Sequence, residues 1–260
     1  MSNKFLSVII PAYNEEKRLA ATLEQVGRFL ATKTYSSEVL VVDDGSTDAT
    51  LEIAKEYIKK FEKLGISLRI VKNPINSGKG YTIRNGMLQA IGEIAMFTDA
   101  DLSTPITELD RLIAPIITRE KEIVFGSRAL PESQIATHQP TIREMAGRVF
   151  NQLMKLLTGL PYQDTQCGFK AFHRSQTSWI FEKQKIFGFA FDVEVLFIAQ
   201  KHGLRCLELP IIWADVAGTK VSMFKGLLAF LELILIRWHY LLGHYTPSNE
   251  AVSTTAVNNR

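Results

Sequence analysis

The chain has 260 residues, of which 46% are hydrophobic and 22% charged, and its formal net charge is +3. This balance indicates a globular protein with a sizeable core and excludes a disordered chain. The small positive charge is not concentrated in Lys/Arg clusters, so nucleic acid is not an expected partner. Two cysteines, Cys167 and Cys206, are too few for a disulfide framework.

The N-terminal residues, Met1 to Lys4, lead directly into an apolar run and show no signal-peptide pattern. We therefore expect a protein of the cytosol, where thiols stay reduced.

The first half of the chain alternates short apolar runs with helical patterns, such as the amphipathic stretch at 51–64. This alternation predicts βαβ units and therefore an α/β fold with a mainly parallel, Rossmann-like sheet flanked by helices. The apolar runs that we interpret as strands are 7–10, 38–42, 67–71, 93–97 and 122–125.

A polar cluster follows the carboxyl end of each predicted strand. In open parallel sheets, ligands bind beyond the carboxyl ends of the strands. The sequence therefore predicts one functional site at this edge of the sheet. The clusters begin at Pro11, Asp43, Asn73, Asp99 and Gly126.

Asp99 and Asp101 stand two residues apart at the end of the fourth predicted strand. If the chain turns there, both carboxylates reach one side, where they suit Mg²⁺ or Mn²⁺ bound together with substrate phosphates. The alternative is a turn that caps the helix expected near Pro105, with Asp101 or Ser103 as the N-cap.

Asp43 and Asp44 follow the second predicted strand. An acid here is suited to accept hydrogen bonds from a nucleobase, and Gly45 would let the ligand approach closely. The alternative is a turn in which residues 46–48 cap a helix that starts near Thr50.

Lys79 lies between two glycines in the segment 76–80, which is too short for a P-loop. A cation on such an open backbone suits a nucleotide, and a plain flexible turn is the alternative. Residues 84–86 are expected on a helix that follows.

The motifs described above, together with the segment 126–128, resemble the nucleotide-sugar domain of the family 2 glycosyltransferases in their order and spacing. Later segments resemble the polyprenyl-phosphate hexosyltransferases, and among these the dolichyl-phosphate β-glucosyltransferases. The resemblance covers about residues 5–225. It implies a GT-A type fold, a UDP-sugar or GDP-sugar donor, a divalent ion and inversion at the anomeric carbon. The matching segments are 7–16, 41–48, 76–86, 98–102 and 126–128, then 143–151, 164–170 and 191–194.

The resemblance also implies roles for single residues. Asp44 would bind the nucleobase, Asp99 the sugar and ribose, and Asp101 the metal and diphosphate, with Asp99 as the second metal ligand. Arg128, Arg148 and Lys220 would face phosphates. The predicted donor-side residues are Pro11, Tyr13, Glu15, Asp43, Asp44, Lys79, Asp99 and Lys220.

A phosphate acceptor is a dianion near neutral pH because its second pKa is about 6, so it needs cations rather than a general base. The candidate phosphate-binding cations from residue 128 onward are Arg128, Arg143, Arg148, Lys170 and Lys220, each with a solvated surface position as the alternative.

We expect in-line attack of a lipid phosphate oxygen on C1 of glucose carried by UDP, with the diphosphate leaving toward a metal held at Asp101. Asp164 would orient the reactants or pair with an arginine. The predicted catalytic residues are Asp101, Arg128, Arg148 and Asp164.

Three other readings of the sequence stay open: mannose transfer from GDP-mannose, transfer to a hydroxyl with Asp164 or Asp192 as the base, and a silent nucleotide-sugar binding protein. The intact pair of Asp99 and Asp101 disfavours the last. The resemblance has two departures. Ile234 stands where processive relatives carry the glutamine of a QxxRW motif, which favours single transfer, and Thr219 replaces a common serine.

The sequence predicts a transferase domain at 1–225, an amphipathic helix at 226–245 and a disordered tail at 246–260. Another amphipathic helix is predicted at 142–157. The apolar stretch 227–242 would be roughly 24 Å long as a helix, too short for a bilayer core of about 30 Å. We expect it to lie in the interface of the cytoplasmic membrane face, with packing on the sheet or in a homo-oligomer as alternatives.

Overall fold

The computed structural model of the protein describes residues 4–137, 141–216 and 223–247. Its core is a seven-stranded sheet, and a short two-stranded sheet lies apart from it. The strands are β1 Leu6–Ala12, β2 Ser37–Asp43, β3 Ser67–Lys72, β4 Ile94–Thr98, β5 Ile123–Ser127, β6 Gln134–Thr137, β7 Phe169–His173, β8 Cys206–Pro210 and β9 Ile212–Ala214.

The five strands predicted from the first half of the sequence are confirmed as β1 to β5. The order in the large sheet is β3-β2-β1-β4-β7-β5-β8, and β3, β2, β1 and β4 are all parallel. Strand β2 is buried along its whole length, because helices cover both faces of the sheet.

Eight α-helices cover the sheet within the described residues. Helices from the two layers contact alternate side chains of the same strands: Val8 and Val39 face one layer, Ile9 and Leu40 the other. The helices are α1 Leu19–Ala31, α2 Thr50–Lys63, α3 Lys79–Gln89, α4 Leu109–Ile117, α5 Thr141–Thr158, α6 Arg174–Lys183, α7 Phe191–Lys201 and α8 Met223–Leu241.

Strand β7 interrupts the parallel order, since it runs antiparallel between β4 and β5. It begins at Phe169, so the preceding segment 164–168 lies beside the carboxyl ends of β4 and β5. The backbone N–H of Asp99 donates a hydrogen bond of 3.2 Å to the carbonyl of Gly168. The sequence analysis predicted no strand here, yet this strand brings the two halves of the chain together at one edge.

The two amphipathic helices predicted in the second half are present. Helix α5, predicted at 142–157, spans Thr141–Thr158, and α8, predicted at 226–245, spans Met223–Leu241. They contact each other through Phe150 and Phe230, whose ring centroids lie 5.4 Å apart. No helix in the described ranges has both the length and the apolar character needed to cross a bilayer. The predicted tail lies outside those ranges from residue 248 onward.

Candidate active site

A cleft of about 400 Å³ opens where β1, β2 and β4 end, and we call it the donor cleft. The structure brings most of the predicted donor-side residues together in its wall, and with them the predicted metal ligand Asp101. The donor-side residues in this wall are Pro11, Tyr13, Glu15, Asp44, Lys79 and Asp99. Asp43 does not line it. That side chain is buried behind the cleft, where Oδ1 accepts a 3.1 Å hydrogen bond from the backbone of Ser46. Lys220 lies outside the described residues.

A tight turn places Asp99 and Asp101 on the same side of the chain. The N–H of Leu102 donates to the carbonyl of Asp99 at 3.1 Å, and Leu102 has a positive φ of 48°. Asp101 Oδ1 also accepts the N–H of Ser103 at 3.0 Å. The turn that the sequence offered as the alternative is therefore present, but the predicted N-cap is wrong, since the 3₁₀ helix that follows has Pro105 at its N-cap.

Each carboxylate of this turn faces a cation. Lys79 Nζ lies 2.6 Å from Asp99 Oδ1, and Arg18 Nη1 lies 3.9 Å from Asp101 Oδ2. Burial lowers the pKa of Lys79, but Asp99, Asp192 and Asp101 together raise it by more than burial lowers it. The net pKa is therefore above the ordinary value, and the amine stays charged. Two carboxylates and two cations in one cleft can hold a diphosphate together with a divalent ion. The two aspartates fit Mg²⁺ or Mn²⁺, which complete their coordination with substrate phosphates and water.

Gly168 leaves room for the carboxylate of Asp99. A Cβ atom at this position would lie 2.1 Å from Asp99 Oδ2, so any larger residue would displace that carboxylate from the cleft. The segment before β7 thus fixes one of the two candidate metal ligands.

Asp44 holds the loop that borders the donor cleft. Its carboxylate accepts hydrogen bonds from Asn73 Nδ2 at 2.8 Å and from the backbone N–H groups of Ser77 and Gly78 at 2.9 and 3.0 Å. The role predicted for Gly45 is wrong. A Cβ there would meet the backbone of residues 75–76 at 2.8 to 3.1 Å, so Gly45 accommodates this loop rather than a ligand.

A second cleft, of about 690 Å³, lies between α5, the segment 163–166 and Trp213, and we call it the acceptor cleft. Arg128 and Asp164 form a bidentate ion pair in its wall, with Nε to Oδ2 at 2.6 Å and Nη2 to Oδ1 at 2.9 Å. The backbone N–H of Arg128 adds a third bond at 3.0 Å. Burial raises the pKa of Asp164, but Arg128 lowers it by more, to about 2. Asp164 is therefore the ion-pair partner of Arg128, one of the two roles that the sequence left open.

The acceptor cleft is lined by cations from α5 as well. Arg148 is exposed there, and Lys155 lies two turns later on the same helix, where its Nζ donates to Gln163 Oε1 at 2.8 Å. The prediction that Lys170 faces a phosphate is wrong, because Lys170 is fully buried with Nζ 2.7 Å from Asp192 Oδ1. The side chain of Arg143 is not among those described.

A model of the glycosyl transferase family 2 matches residues 7–181 of this chain. The chain belongs to glycosyl transferase family 2. The match includes Asp99 and Asp101 of the donor cleft and the Arg128–Asp164 pair of the acceptor cleft.

Relatives in this family resemble the chain over most of its length. A dolichyl-phosphate beta-glucosyltransferase from Dictyostelium discoideum is 33% identical over 253 residues, which cover 94% of this chain and 77% of the relative. The enzyme of that name from Saccharomyces cerevisiae is 34% identical over 260 residues, covering 95% and 78%. The one from Homo sapiens is 33% identical over 251 residues, covering 92% and 77%.

Solved structures share the fold. Glucosyl-3-phosphoglycerate synthase from Mycobacterium tuberculosis, in complex with Mn²⁺, UDP and glucosyl-3-phosphoglycerate, superposes with a TM-score of 0.64 at 18% identity, covering 95% of this chain and 82% of that one. The same enzyme with Mg²⁺ and UDP has a TM-score of 0.64 at 17% identity, with the same coverage. These likenesses confirm the predicted GT-A type fold of this family 2 glycosyltransferase.

Two charged residues of the donor cleft were missed by the sequence analysis. Arg18 follows Glu15 by three residues in the turn before α1 and binds it through Nε and Nη2, at 2.7 and 2.9 Å. Opposite charges this close in sequence are a signal for an ion pair. Glu232 lines the cleft from α8, together with Phe189. The helical pattern predicted the helix that carries Glu232 but could not show that this residue faces the cleft.

Proposed function

We propose that this family 2 enzyme transfers glucose from UDP-glucose to the phosphate of a polyprenyl lipid of the dolichyl type, with inversion at C1. In this reaction a phosphate oxygen forms a bond to C1, the bond from C1 to the diphosphate oxygen breaks, and UDP leaves. The dolichyl-phosphate beta-glucosyltransferases that are at least 33% identical support glucose as the sugar and a dolichyl-type phosphate as the acceptor. The choice of UDP as the carrier rests on the family resemblance.

The choice of a phosphate acceptor rests on the two candidate general bases, Asp164 and Asp192. A hydroxyl acceptor needs a base that removes its proton, whereas a phosphate dianion does not. Asp164 has a pKa of about 2 and is tied to Arg128 by two hydrogen bonds, so it is a poor base. Asp192 is 3% exposed and paired with Lys170, so an acceptor hydroxyl cannot reach it. Both observations favour a phosphate acceptor.

On the donor side, we assign the nucleobase to the region of Asp44 and Tyr13, and the diphosphate to that of Lys79 and Arg18. Asp99 and Asp101 would hold Mg²⁺ or Mn²⁺, which, when bound, neutralises the charge that develops on the departing diphosphate. Lys79 and Arg18 bring further positive charge to the same end of the cleft.

On the acceptor side, we assign the lipid phosphate to Arg128 and Arg148, with Lys155 at the border of the cleft. Arginine matches the geometry of a phosphate with two parallel hydrogen bonds. Asp164 is the positioning residue that holds the Arg128 guanidinium in place. The Cζ atom of Arg128 also lies 5.5 Å from the centroid of the Trp213 ring. Lys220 stays a proposal that rests on the family resemblance alone.

The lipid would arrive over an apolar surface formed by α5 and α8. Helix α5 exposes Met145 and Leu156, and α8 exposes Leu231, Trp238 and Leu241, each more than half accessible. Both helices also line a cleft, α5 the acceptor cleft and α8 the donor cleft. Helices with such a face can lie in the plane of a membrane interface, and that orientation would bring the acceptor phosphate beside these cations.

The transfer reaction tests the proposal directly. Purified protein is incubated with radiolabelled UDP-glucose or GDP-mannose, polyprenyl phosphate in vesicles, and Mg²⁺ or Mn²⁺. We expect label from UDP-glucose in the lipid extract and its loss with EDTA. If only GDP-mannose labels the lipid extract, the donor is GDP-mannose and not UDP-glucose. Hydrolysis of UDP-glucose with no labelled lipid would reject the phosphate acceptor.

Vesicle flotation tests the membrane surface. The double variant Leu231→Ser/Trp238→Ser should lower the vesicle-bound fraction several-fold, because it removes two large apolar contacts from one face of α8. The matched control is Ile91→Ser/Ile117→Ser, which alters two exposed isoleucines away from that helix. Equal flotation of both double variants would reject this surface.

A further inference from the structure

Glu232 extends from α8 toward the backbone that precedes α7. Its Oε2 accepts the N–H of Ala190 at 2.8 Å, and the N–H groups of Phe189 and Gly188 also act as donors to the carboxylate. A Cβ atom at Gly188 would lie 1.9 Å from Glu232 Oε1. The carboxylate therefore sits directly on the backbone at 188–190, where the N-terminus of α7 adds a favourable field.

The same backbone stretch contacts the loop that carries Lys79. Gly80 donates its N–H to the carbonyl of Phe187 at 2.9 Å, and a Cβ at Gly78 would lie 2.5 Å from that oxygen. Gln184 links the same two segments, since its Nε2 donates to the carbonyls of Gly80 and Ile186 at 3.0 and 2.8 Å. Residues 184–190 are thus packed between α8 and the N-terminus of α3.

This arrangement closes one wall of the donor cleft. Gly188, Phe189 and Glu232 all line the cleft, as Asp44 and Asp101 do. Glu232 is half-buried, and burial raises its pKa while the three backbone donors lower it. Without the carboxylate, these backbone N–H groups lose their acceptor, and nothing in the described contacts of α8 replaces that bond to Ala190.

We propose that Glu232 is a positioning residue for the nucleotide donor. It holds the segment 188–190 against the N-terminus of α3, so that Phe189 and Lys79 keep their places in the donor cleft. The inference rests on the proposed function for the identity of the nucleotide, UDP. The acceptor cleft does not include this residue, so the effect should be confined to the donor.

Three variants test this role. Glu232→Ala removes the acceptor, Glu232→Gln keeps one oxygen that can accept a backbone N–H, and Gly188→Ala leaves Glu232 in place but displaces its carboxylate. The matched control is Glu24→Ala, which removes a partly exposed glutamate of α1 that pairs with Arg28. The main readout is the Kd of UDP with Mn²⁺ by calorimetry, and the second is the KM of each substrate.

We expect Glu232→Ala and Gly188→Ala to raise the Kd of UDP about tenfold, Glu232→Gln to raise it less, and Glu24→Ala to leave it unchanged. The KM of UDP-glucose should rise with the Kd, while the KM of the lipid phosphate stays within about twofold. A residue that only stabilises the fold would lower Tm without this separation of the two KM values.

Wild-type UDP affinity in Glu232→Gln and Gly188→Ala would overturn the proposal, and these two variants decide it if Glu232→Ala does not fold. UDP binding is measured without an acceptor. If the wild-type protein binds UDP and forms no glucosylated lipid, the proposed function fails while the role of Glu232 is still decided by the binding data.

Discussion

The donor and acceptor clefts lie at the same edge of the sheet but are built in different ways. The donor cleft takes most of its charged residues from consecutive strand ends within the first 101 residues. The acceptor cleft combines the end of β5, helix α5, the segment 163–166 and Trp213, which are far apart in the sequence. Charge at the donor cleft is therefore readable from local spacing, whereas charge at the acceptor cleft depends on which groups the fold pairs.

The clefts also differ in how their acids are used. Asp99 and Asp101 are partly accessible, with side-chain exposures of 33% and 21%, and their ion pairs are with Lys79 and Arg18. Asp164 is 8% exposed and is bound bidentately by Arg128. The donor cleft thus has acids that can bind a metal. In the acceptor cleft the carboxylate of Asp164 is bound by Arg128, so the accessible surface is cationic. The ligands that we propose for the two clefts, a nucleotide–metal complex and a lipid phosphate, require these opposite settings.

The largest effect should follow from a change at the donor cleft. Asp101→Asn should lower kcat by about 100-fold or more, because it removes the charge that would hold the divalent ion at the diphosphate. Initial rates measure this, and Tm should change little because the carboxylate is partly exposed. Asp110→Asn, at an exposed aspartate of α4 paired with Lys33, is the control. If Asp101→Asn retained near-normal rates and EDTA still abolished them, the divalent ion would bind at another site.

A change at the acceptor cleft should affect the other substrate. Arg148→Ala should raise the KM of the lipid phosphate roughly ten- to 100-fold, the range expected for a lost hydrogen bond to a charged group. The KM of UDP-glucose should not change. The control is Arg28→Ala, at a distant cation whose side chain is 77% exposed. If both KM values rose together, the division of labour between the clefts would be wrong.

Arg18 should show a smaller effect on the donor side. Arg18→Ala should raise the Kd of UDP with Mn²⁺ about fivefold to tenfold, because a cation near Asp101 and the diphosphate is lost. Calorimetry measures the Kd, and Arg18→Lys should recover part of it as a point charge. A higher KM for the lipid phosphate at unchanged UDP affinity would instead assign Arg18 to the acceptor.

The smallest effect concerns pH and Glu194 of α7, whose carboxylate binds the backbone of residues 185–186. Burial raises the pKa of Glu194 to about 7, although Tyr245 and two backbone N–H groups donate to it. This group favours the folded state fully below its unfolded pKa near 4.5, and that contribution is lost as pH rises through about 7. The free energy of unfolding should fall over this range by at most about 3 kcal/mol, and less in Glu194→Gln.

Urea unfolding at pH 4.5, 6 and 7 measures that slope. The Arg128–Asp164 pair contributes nothing to it, since the pKa of Asp164 is about 2 and its contribution is lost only at more acidic pH. The same slope in the wild type and in Glu194→Gln would reject this assignment.

The strand ends of the first half could be predicted because each functional residue follows its own buried strand. The turn at Asp99 and Asp101, the helix after Lys79 and strands β1 to β5 all follow from short-range patterns. The same is true of helices α5 and α8, whose helical periodicity is strong.

The remaining features depend on contacts between distant segments. Strand β7 pairs with β4 and β5 across more than 40 residues of sequence, and no local pattern announces that insertion. Lys170 looks like a phosphate-binding cation until β7 buries it against Asp192. Glu232 looks like a solvated residue of α8 until the backbone at 188–190 is placed beneath it.

The most direct test of the two-cleft account is a competition titration. The Kd of UDP with Mn²⁺ is measured by calorimetry without and with a saturating short-chain polyprenyl phosphate. The account predicts that the two ligands bind together, so the Kd of UDP stays within about threefold. Displacement of UDP in proportion to the lipid phosphate would contradict it, because the two phosphates would then share one site.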